Sequence, residues 1–313
     1  SIKSSLPIIG EEELIFKVRS KSGTLDFSQK PLLVTTSPVI SEDSNRQSVF
    51  LSLVSKPGID NEQIKNASIL YKGKISDTVK KILTESNIVD IDIDPTRNNY
   101  DFISRSRGSL DLITDLCRRS IPESGDPGYF FYETQDGHNF KAIDNLISEE
   151  PVETYTYTGG FKANSETDEN DFKIVRPPIF LKDQNVKQRK KWISSRNIFF
   201  NPSNLKTEEL FYALSGSEDA DRSGTPVQKT LGRKTLDYVI PPLKYLTTNF
   251  HVLDIGSLDY QNLDPNNDPR KWQALSPMRY NLLHSQMMEI QVPCNLNISC
   301  LLYTSDAADE EDS

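Results

Sequence analysis

Three aspartates, Asp90, Asp92 and Asp94, form an acidic triplet that could suggest a metal site. They alternate with apolar residues in the run 89–94, read VDIDID, and this alternation predicts a half-buried β-strand. On such a strand the carboxylates lie on one face, and the valine and two isoleucines lie on the other. Calcium loops combine spaced acids with a glycine and a distal glutamate, and that pattern is missing here. The run therefore favours a solvated strand face, and we expect no metal ion and no other cofactor.

The chain has three histidines, His138, His251 and His284, which could each serve as a general base. A Ser-His-Asp triad assembles in space, so their scatter along the chain leaves that possibility open. The sequence contains no GxSxG elbow, no HExxH helix and no glycine-rich phosphate loop. Turn or core positions are the favoured interpretation for all three, including His138 close to Asp136. We therefore predict no catalytic residue and a protein that is not an enzyme.

The segment Lys187–Trp192, read KQRKKW, is a basic cluster with an aromatic residue beside it. Basic side chains pair with phosphates and tryptophan stacks on bases, so a nucleic-acid contact is one interpretation. The interpretation that we favour is a solvated strand or loop edge protected by its lysines. The net charge of −9 also argues against a broad phosphate-binding surface.

The positions of these side chains depend on the surrounding elements, of which the clearest is an aromatic hairpin in Gly128–Asp144. Tyr129–Tyr132 is a dense aromatic run of the kind found in strands. Asp136 and Gly137 supply the turn, because glycine readily adopts a positive φ. The apolar residues after the turn either recur along one helix or end a second strand and begin a short helix. They are Phe140, Ile143, Leu146 and Ile147.

Short apolar runs upstream predict a small antiparallel barrel or sandwich. Strands are expected within Glu13–Val18, Pro31–Val34 and Gln47–Val54, and Lys56-Pro57-Gly58 is expected to be a turn.

Two amphipathic helices are predicted before the hairpin. Ser76 is expected to cap the first and Ser109 is a candidate cap for the second. The predicted buried residues are Val79, Ile82 and Leu83 in the first helix, and Leu112, Ile113, Leu116 and Cys117 in the second.

From Val152 the chain becomes polar and rich in turns. Thr154–Thr158 alternates threonine and tyrosine, which predicts a strand, and Met287–Pro293 predicts another. Polar loops are expected at Asn164–Asp171, Leu214–Val227 and Gln261–Lys271.

Both ends of the chain look foreign or incomplete. The chain starts at Ser1 and its methionines lie near the other end, so the natural start is expected further upstream. Residues 300–310, read CLLYTSDAADE, are what one reading frame of a common transposase sequencing adapter encodes. We expect the tail from Cys300 to be adapter-derived and disordered, with native sequence ending near Ser299; a genuine acidic tail is the alternative. Cys117 and Cys294 are then expected to be buried, reduced thiols.

Several segments resemble one family, the central hub protein of the baseplate in contractile-tailed phages of the T-even (myovirus) type, especially its marine and cyanophage relatives. The segments are Ser4–Leu14, Tyr100–Ile103, Leu112–Leu116, Gly128–Asp144 and Glu150–Pro151. The resemblance implies a mainly β, α+β subunit with two antiparallel β-barrel-like tube domains and a small α+β insert lobe. The expected domains are 1–95 for the first tube domain, 96–151 for the lobe, and 152–299 for the second tube domain. Residues 300–313 form the tail.

The resemblance also implies a function. Three subunits would form a homotrimeric ring in the virion that joins the tail tube to the cell-puncturing, lysozyme-type spike and contacts the baseplate wedge proteins. Phage DNA would pass through the channel without specific binding, and no membrane anchoring is expected of a protein made in the bacterial cytoplasm. The alternatives are a tail-associated peptidoglycan hydrolase, which needs converging carboxylates or a metal triad, and a host-surface binding module.

Overall fold

The computed structural model describes most of the chain in thirteen stretches. They are residues 12–35, 39–43, 46–63, 68–104, 107–149, 153–157, 172–182, 194–202, 204–213, 247–253, 268–283, 286–296 and 298. Several predicted features lie outside these residues: the basic cluster Lys187–Trp192, His284, the loops Asn164–Asp171 and Leu214–Val227, and the tail from Cys300. In the stretches given, no helix is long and apolar enough to cross a membrane.

The described residues form strands and helices in a mainly β, α+β arrangement, as predicted. The strands are β1 (Glu13–Leu14), β2 (Lys17–Ser20), β3 (Gly23–Asp26), β4 (Leu32–Val34), β5 (Val39–Asp43), β6 (Arg46–Phe50), β7 (Leu53–Val54), β8 (Leu70–Tyr71), β9 (Ile91–Ile93), β10 (Phe102–Ile103), β11 (Tyr129–Glu133), β12 (His138–Ala142), β13 (Ile179–Lys182), β14 (Ser194–Asn201), β15 (Lys206–Ala213), β16 (Thr247–Val252) and β17 (Gln286–Glu289). The helices are α1 (Lys56–Gln63), α2 (Ile75–Glu85), α3 (Ser109–Cys117), α4 (Ile143–Ser148) and α5 (Pro269–Leu283).

The first part of the chain consists of small antiparallel sheets, with strand orders β1-β4-β7, β2-β3 and β5-β6. The rings of Phe16 and Phe27 stack at 4.4 Å beside the β2-β3 hairpin. Within the described residues these strands do not close into a barrel. The turn predicted at Lys56-Pro57-Gly58 is wrong, because α1 starts there. Proline is accepted in the first turn of a helix, where its missing N–H has no helical partner to lose.

A single core follows, built from α2, α3 and the sheet of order β11-β12-β9. The apolar faces predicted for the two helices are buried in it, together with Tyr71, Tyr129 and Phe140. This core contains residues from both sides of position 95, the boundary expected between the first tube domain and the lobe.

Neither predicted cap is correct. Lys74 is the N-cap residue of α2, and Ser76 is buried in the first turn with its N–H bonded to Thr96 Oγ1 at 3.0 Å. Gly108 is the N-cap residue of α3, and the Ser109 hydroxyl instead accepts a hydrogen bond from Ser86 Oγ at 2.8 Å. In both helices the serine lies inside the first turn and its polar groups bond to a neighbouring segment.

The aromatic hairpin is confirmed. β11 pairs antiparallel with β12, from Tyr129 opposite Ala142 to Glu133 opposite His138, and β9 adds parallel to β12. Gly137 has φ 145°, and a Cβ on it would lie 2.3 Å from the backbone oxygen of Asp90. Of the two alternatives after the turn, the second is correct: a strand ends at Ala142 and α4 follows.

The last part contains the sheets β15-β14-β16 and β13-β17, with α5 packed against the first through Ala274 and Phe199. Thr154–Thr158 does not form a strand in its described residues, because only Thr156 makes an isolated bridge, to Lys173. The predicted loop Gln261–Lys271 is wrong at its end, where α5 begins at Pro269. The predicted strand Met287–Pro293 is shorter, since β17 ends at Glu289.

Candidate functional site

The acidic run does not form a metal site, because basic and amide groups already occupy its carboxylates. Lys141 Nζ lies 2.7 Å from Asp92 Oδ1 and 3.1 Å from Asp94 Oδ1. Lys30 Nζ lies 2.9 Å from Asp90 Oδ2. In the part of the chain that the structure describes, no three His, Cys, Asp or Glu side chains converge on a point that could hold a metal ion.

The prediction of a uniformly solvated acidic face needs correction at Asp94. Its side chain is 13% exposed, and Oδ2 accepts hydrogen bonds from the N–H of Ala142 at 2.9 Å and from Asn145 Nδ2 at 2.7 Å. Partial burial opposes the charge on Lys141, but hydrogen bonds to Asp92 and Asp94 outweigh it and raise the lysine pKa. Val89, expected on the buried face, is 80% exposed because it lies before β9 begins.

His138 is buried beside a carboxylate and a hydroxyl, but their order does not suit nucleophilic catalysis. Its Nε2 lies 3.9 Å from Glu133 Oε2, and the same carboxylate oxygen accepts a hydrogen bond from Ser55 Oγ at 2.6 Å. A catalytic triad needs the imidazole between the hydroxyl and the acid, whereas here the acid lies between the other two. Burial lowers the pKa of His138, although the nearby Glu133 opposes this shift. The buried imidazole stacks beside the ring of Phe131, as a packed side chain of the sheet would.

His251 also has a structural environment. It stacks on Phe199 at 5.0 Å, and its Nε2 lies 3.0 Å from Asn197 Oδ1. Cys117 and Cys294 are free, as expected, but only Cys117 is buried; Cys294 is exposed, contrary to prediction. Burial raises the pKa of the Cys117 thiol to about 12, so the thiolate form is disfavoured at neutral pH.

In the part of the chain that the structure describes, the most extensive polar arrangement was not predicted and joins α5 to the segments around the hairpin. The fully buried guanidinium of Arg279 donates to the carboxylate of Asp144 and to the backbone oxygens of Asp126 and Pro127, the last at 3.1 Å. Lys271 Nζ lies 3.3 Å from Asp126 Oδ1. These contacts bind α5 to the loop before β11 and to the first turn of α4.

Tyr280, which follows Arg279 in α5, contacts the hairpin through its hydroxyl and its ring. Its hydroxyl accepts a hydrogen bond from the N–H of Tyr129 at 3.0 Å and donates one to the carbonyl oxygen of the same residue. Its ring makes an edge contact with Phe130, at a centroid distance of 5.5 Å. One side chain therefore supplies both an acceptor and a donor to the outer side of β11.

A largely apolar cavity of about 460 Å³ lies between α3, β11 and α5. The residues that shape it come from three distant segments: Thr114 and Asp115 of α3, Phe130 and Phe131 of β11, and Pro277 and Tyr280 of α5. We name this space the β11 groove. It is the strongest candidate functional site in the described residues.

Sequence reasoning missed α5, although one signal for it was present. Asp268 followed by Pro269 is a typical helix start, and Asp268 Oδ1 does accept a hydrogen bond from the N–H of Arg270 at 3.0 Å. Pro277, inside the helix, argued against a continuous element. The helix persists because its apolar side chains Ala274, Leu275 and Met278 are buried.

No protein-family model matches the chain, and a search of curated proteins found no match. Solved structures that are similar to it include two tail proteins. The tail protein from Neisseria meningitidis MC58 aligns with a TM-score of 0.49 and 13% identity, over 92% of this chain and 69% of that protein. Prophage tail protein gp18 from Listeria monocytogenes EGD-e aligns with a TM-score of 0.37 and 13% identity, over 77% of this chain and 62% of that protein. Likenesses of this size describe partial similarity of shape and establish neither family nor function.

Proposed function

We propose that the chain is a structural component of a phage tail baseplate, a homotrimeric hub that joins the tail tube to the spike. The observation that carries this proposal is that three of the five segments resembling the hub family share one core. Residues from Tyr100–Ile103, Leu112–Leu116 and the hairpin pack together in it. Segments that lie apart in the sequence thus pack in one core, together with residues of α2 that precede them.

Exposed apolar strands support a role in subunit contact. Phe250 and Val252 on β16 are 79% and 63% exposed, and their neighbours across the pair are Ile198 and Phe200 of β14. Because paired residues in a sheet share a face, these four side chains form one apolar surface opposite the face that packs on α5. Apolar patches of this kind are typical of protein–protein contacts.

The proposed mechanism is geometric. Sheet faces and edges would bury against neighbouring subunits, the tail tube, the wedge proteins and the lysozyme-type spike, and the ring would leave a channel through which DNA passes without specific binding. The site of action would be the virion. The proposal includes no catalytic residue. The arrangement of Ser55, Glu133 and His138 is consistent with this, because the carboxylate and not the imidazole lies in the middle.

Light scattering of the purified protein, alone and with the spike encoded beside it, tests the proposal. We expect a trimer in at least one of the two samples, and genes for tube, wedge and spike proteins next to the gene on an intact contig. A monomer in both samples at high concentration, or metabolic genes as neighbours, would contradict the hub assignment.

A further inference from the structure

We propose that the outer edge of β11 accepts an extended segment of a partner protein, which adds to the sheet as a fourth strand and places an apolar side chain in the β11 groove. The sheet order β11-β12-β9 leaves β11 at an edge. Strand addition at such an edge is a recurring mode of peptide recognition. This inference stands apart from the hub assignment, because it rests on the geometry of the groove and the charge at its rim.

The direction of the backbone N–H and C=O groups identifies the residues of β11 that could pair with an added strand. The N–H of Ile143 bonds to the oxygen of Gly128 at 3.1 Å, and Thr134 and Gly137 exchange bonds at the other end of the hairpin. In an antiparallel pair with this register, Tyr129, Phe131 and Glu133 direct their N–H and C=O groups away from β12.

Tyr280 already imitates an added strand at the first of these positions. Its hydroxyl gives Tyr129 one acceptor and one donor, as a residue of a neighbouring strand would. At Phe131, two residues further on, no group within the described ranges bonds to the N–H or C=O. Among the described residues the next position on this edge is therefore unoccupied, and a peptide backbone can bond there.

The groove would receive one side chain of the added strand. It is lined by the same stretch of β11 together with residues of α3 and α5, and its lining is mostly apolar. Thr114 is exposed at its rim, so the groove opens to solvent from the side of α3. An aliphatic or aromatic residue of the partner fits this lining.

The charge at the rim of the groove indicates that the partner segment carries an acidic residue close to its apolar residue. Asp115 is shared by two guanidiniums, that of Arg107 in direct contact and that of Arg118 at 3.6 Å. Two cations on one carboxylate leave an excess positive charge, and the Arg118 side chain is 58% exposed at the groove. We therefore commit to an extended protein segment with an apolar residue and a carboxylate on the same strand face, two positions apart.

The test uses a fluorescent heptapeptide, acetyl-Thr-Val-Leu-Thr-Asp-Val-Thr-amide, and measures its anisotropy on titration with the whole protein. We expect saturable binding at micromolar to millimolar concentration. Two further probes carry one N-methyl group each, on successive residues around the leucine. Because alternate amides of a strand point in opposite directions, one methylation should weaken binding about tenfold and the other should leave it nearly unchanged.

Protein variants locate the binding. Thr114→Trp should fill the groove and abolish binding, whereas Thr114→Ala, the matched control at the same exposed helix position, should retain it. Arg118→Glu should reverse the preference between the aspartate probe and one with lysine in its place. Circular dichroism before titration checks that each variant is folded.

Three outcomes would overturn the proposal: no binding of any probe at millimolar concentration, equal effects of the two methylations, or unchanged binding to a folded Thr114→Trp variant. A second copy of the chain as occupant would also overturn it. In that case Thr114→Trp would dissociate an oligomer of the wild-type protein and no probe would bind.

Discussion

Arg279 and Asp144 form an ion pair in which the guanidinium is fully buried and the carboxylate is 15% exposed. The pair joins α5 to α4, elements that lie 135 residues apart in the sequence. One terminal nitrogen of the guanidinium also donates to two backbone oxygens, whereas the buried Nε has no hydrogen-bond partner among the described residues. One of the contacts between α5 and the segments around the hairpin is therefore a buried charge that its partners stabilise.

Replacing Arg279 with methionine should destabilise the protein by about 3–5 kcal/mol, because Asp144 and two backbone oxygens lose their buried partner. Urea unfolding followed by circular dichroism measures the change. The control is Lys74→Ala, which breaks the exposed pair with Glu123, 3.9 Å long, and should change stability by less than about 1 kcal/mol. Equal effects of the two substitutions would contradict the assignment.

Tyr280→Phe should cost about 1–3 kcal/mol, because it leaves the outer N–H and C=O of Tyr129 without a partner. Hydrogen exchange of the Tyr129 amide should accelerate more than that of Phe130, which is bonded to β12. Tyr155→Phe is the control, since the half-buried hydroxyl that it removes accepts only one described hydrogen bond, from Asn295. Unchanged exchange at Tyr129 would show that the hydroxyl does not protect this edge.

Stability should fall on acidification through His138. Its pKa is lowered from 6.5 mainly by burial, so the unfolded chain binds a proton more readily than the folded one. Above about pH 7.5 the imidazole is neutral in both states, so its burial does not change the free energy of unfolding with pH. Below about pH 6.5 the unfolded chain gains a proton that the folded chain binds less readily, and the free energy of unfolding falls. The charged groups around it are Glu133 on β11, Asp90 before β9, and Lys30 from the first β region.

Urea midpoints at about pH 7.5 and about pH 5.5 measure this effect. His138→Gln should reduce the difference between the two midpoints. Glu133→Gln should enlarge it, because it removes the carboxylate that raises the histidine pKa. A difference unaffected by both substitutions would assign the acid sensitivity to other groups.

Gly137→Ala should destabilise the hairpin for two reasons, the positive φ of 145° and the 2.3 Å approach of a Cβ to the backbone oxygen of Asp90. We expect a loss of more than about 2 kcal/mol in thermal unfolding. Gly23→Ala is the matched control, since φ there is 150° and nothing lies within 4 Å of the added atom. A loss of stability no larger than that of the control would show that the backbone around residue 137 shifts to accommodate the added Cβ.

The local elements were predictable where a segment carries its own signal. The hairpin is one case, because its aromatic strand, Asp136-Gly137 turn and apolar continuation are all contiguous. Thr154–Thr158 failed because β-propensity is realised only when a partner strand is available, and Thr156 has just one bridging residue.

The candidate site was not predictable from the sequence. The β11 groove combines Thr114, Phe130 and Tyr280, and the last two are 150 residues apart. No local pattern specifies which helix will cover the edge of β11. The buried charge of Arg279 was equally hidden, because arginine is ordinarily an exposed residue and only its partners stabilise it inside.

The bond between Tyr280 and Tyr129 spans 151 residues, which has a kinetic consequence. Contacts between distant residues form after local ones, because the intervening chain must first lose the entropy of an open loop. During synthesis the hairpin leaves the ribosome well before α5 exists. The outer edge of β11 is then fully open in the nascent chain, and the arrival of α5 closes its first position while leaving the next accessible.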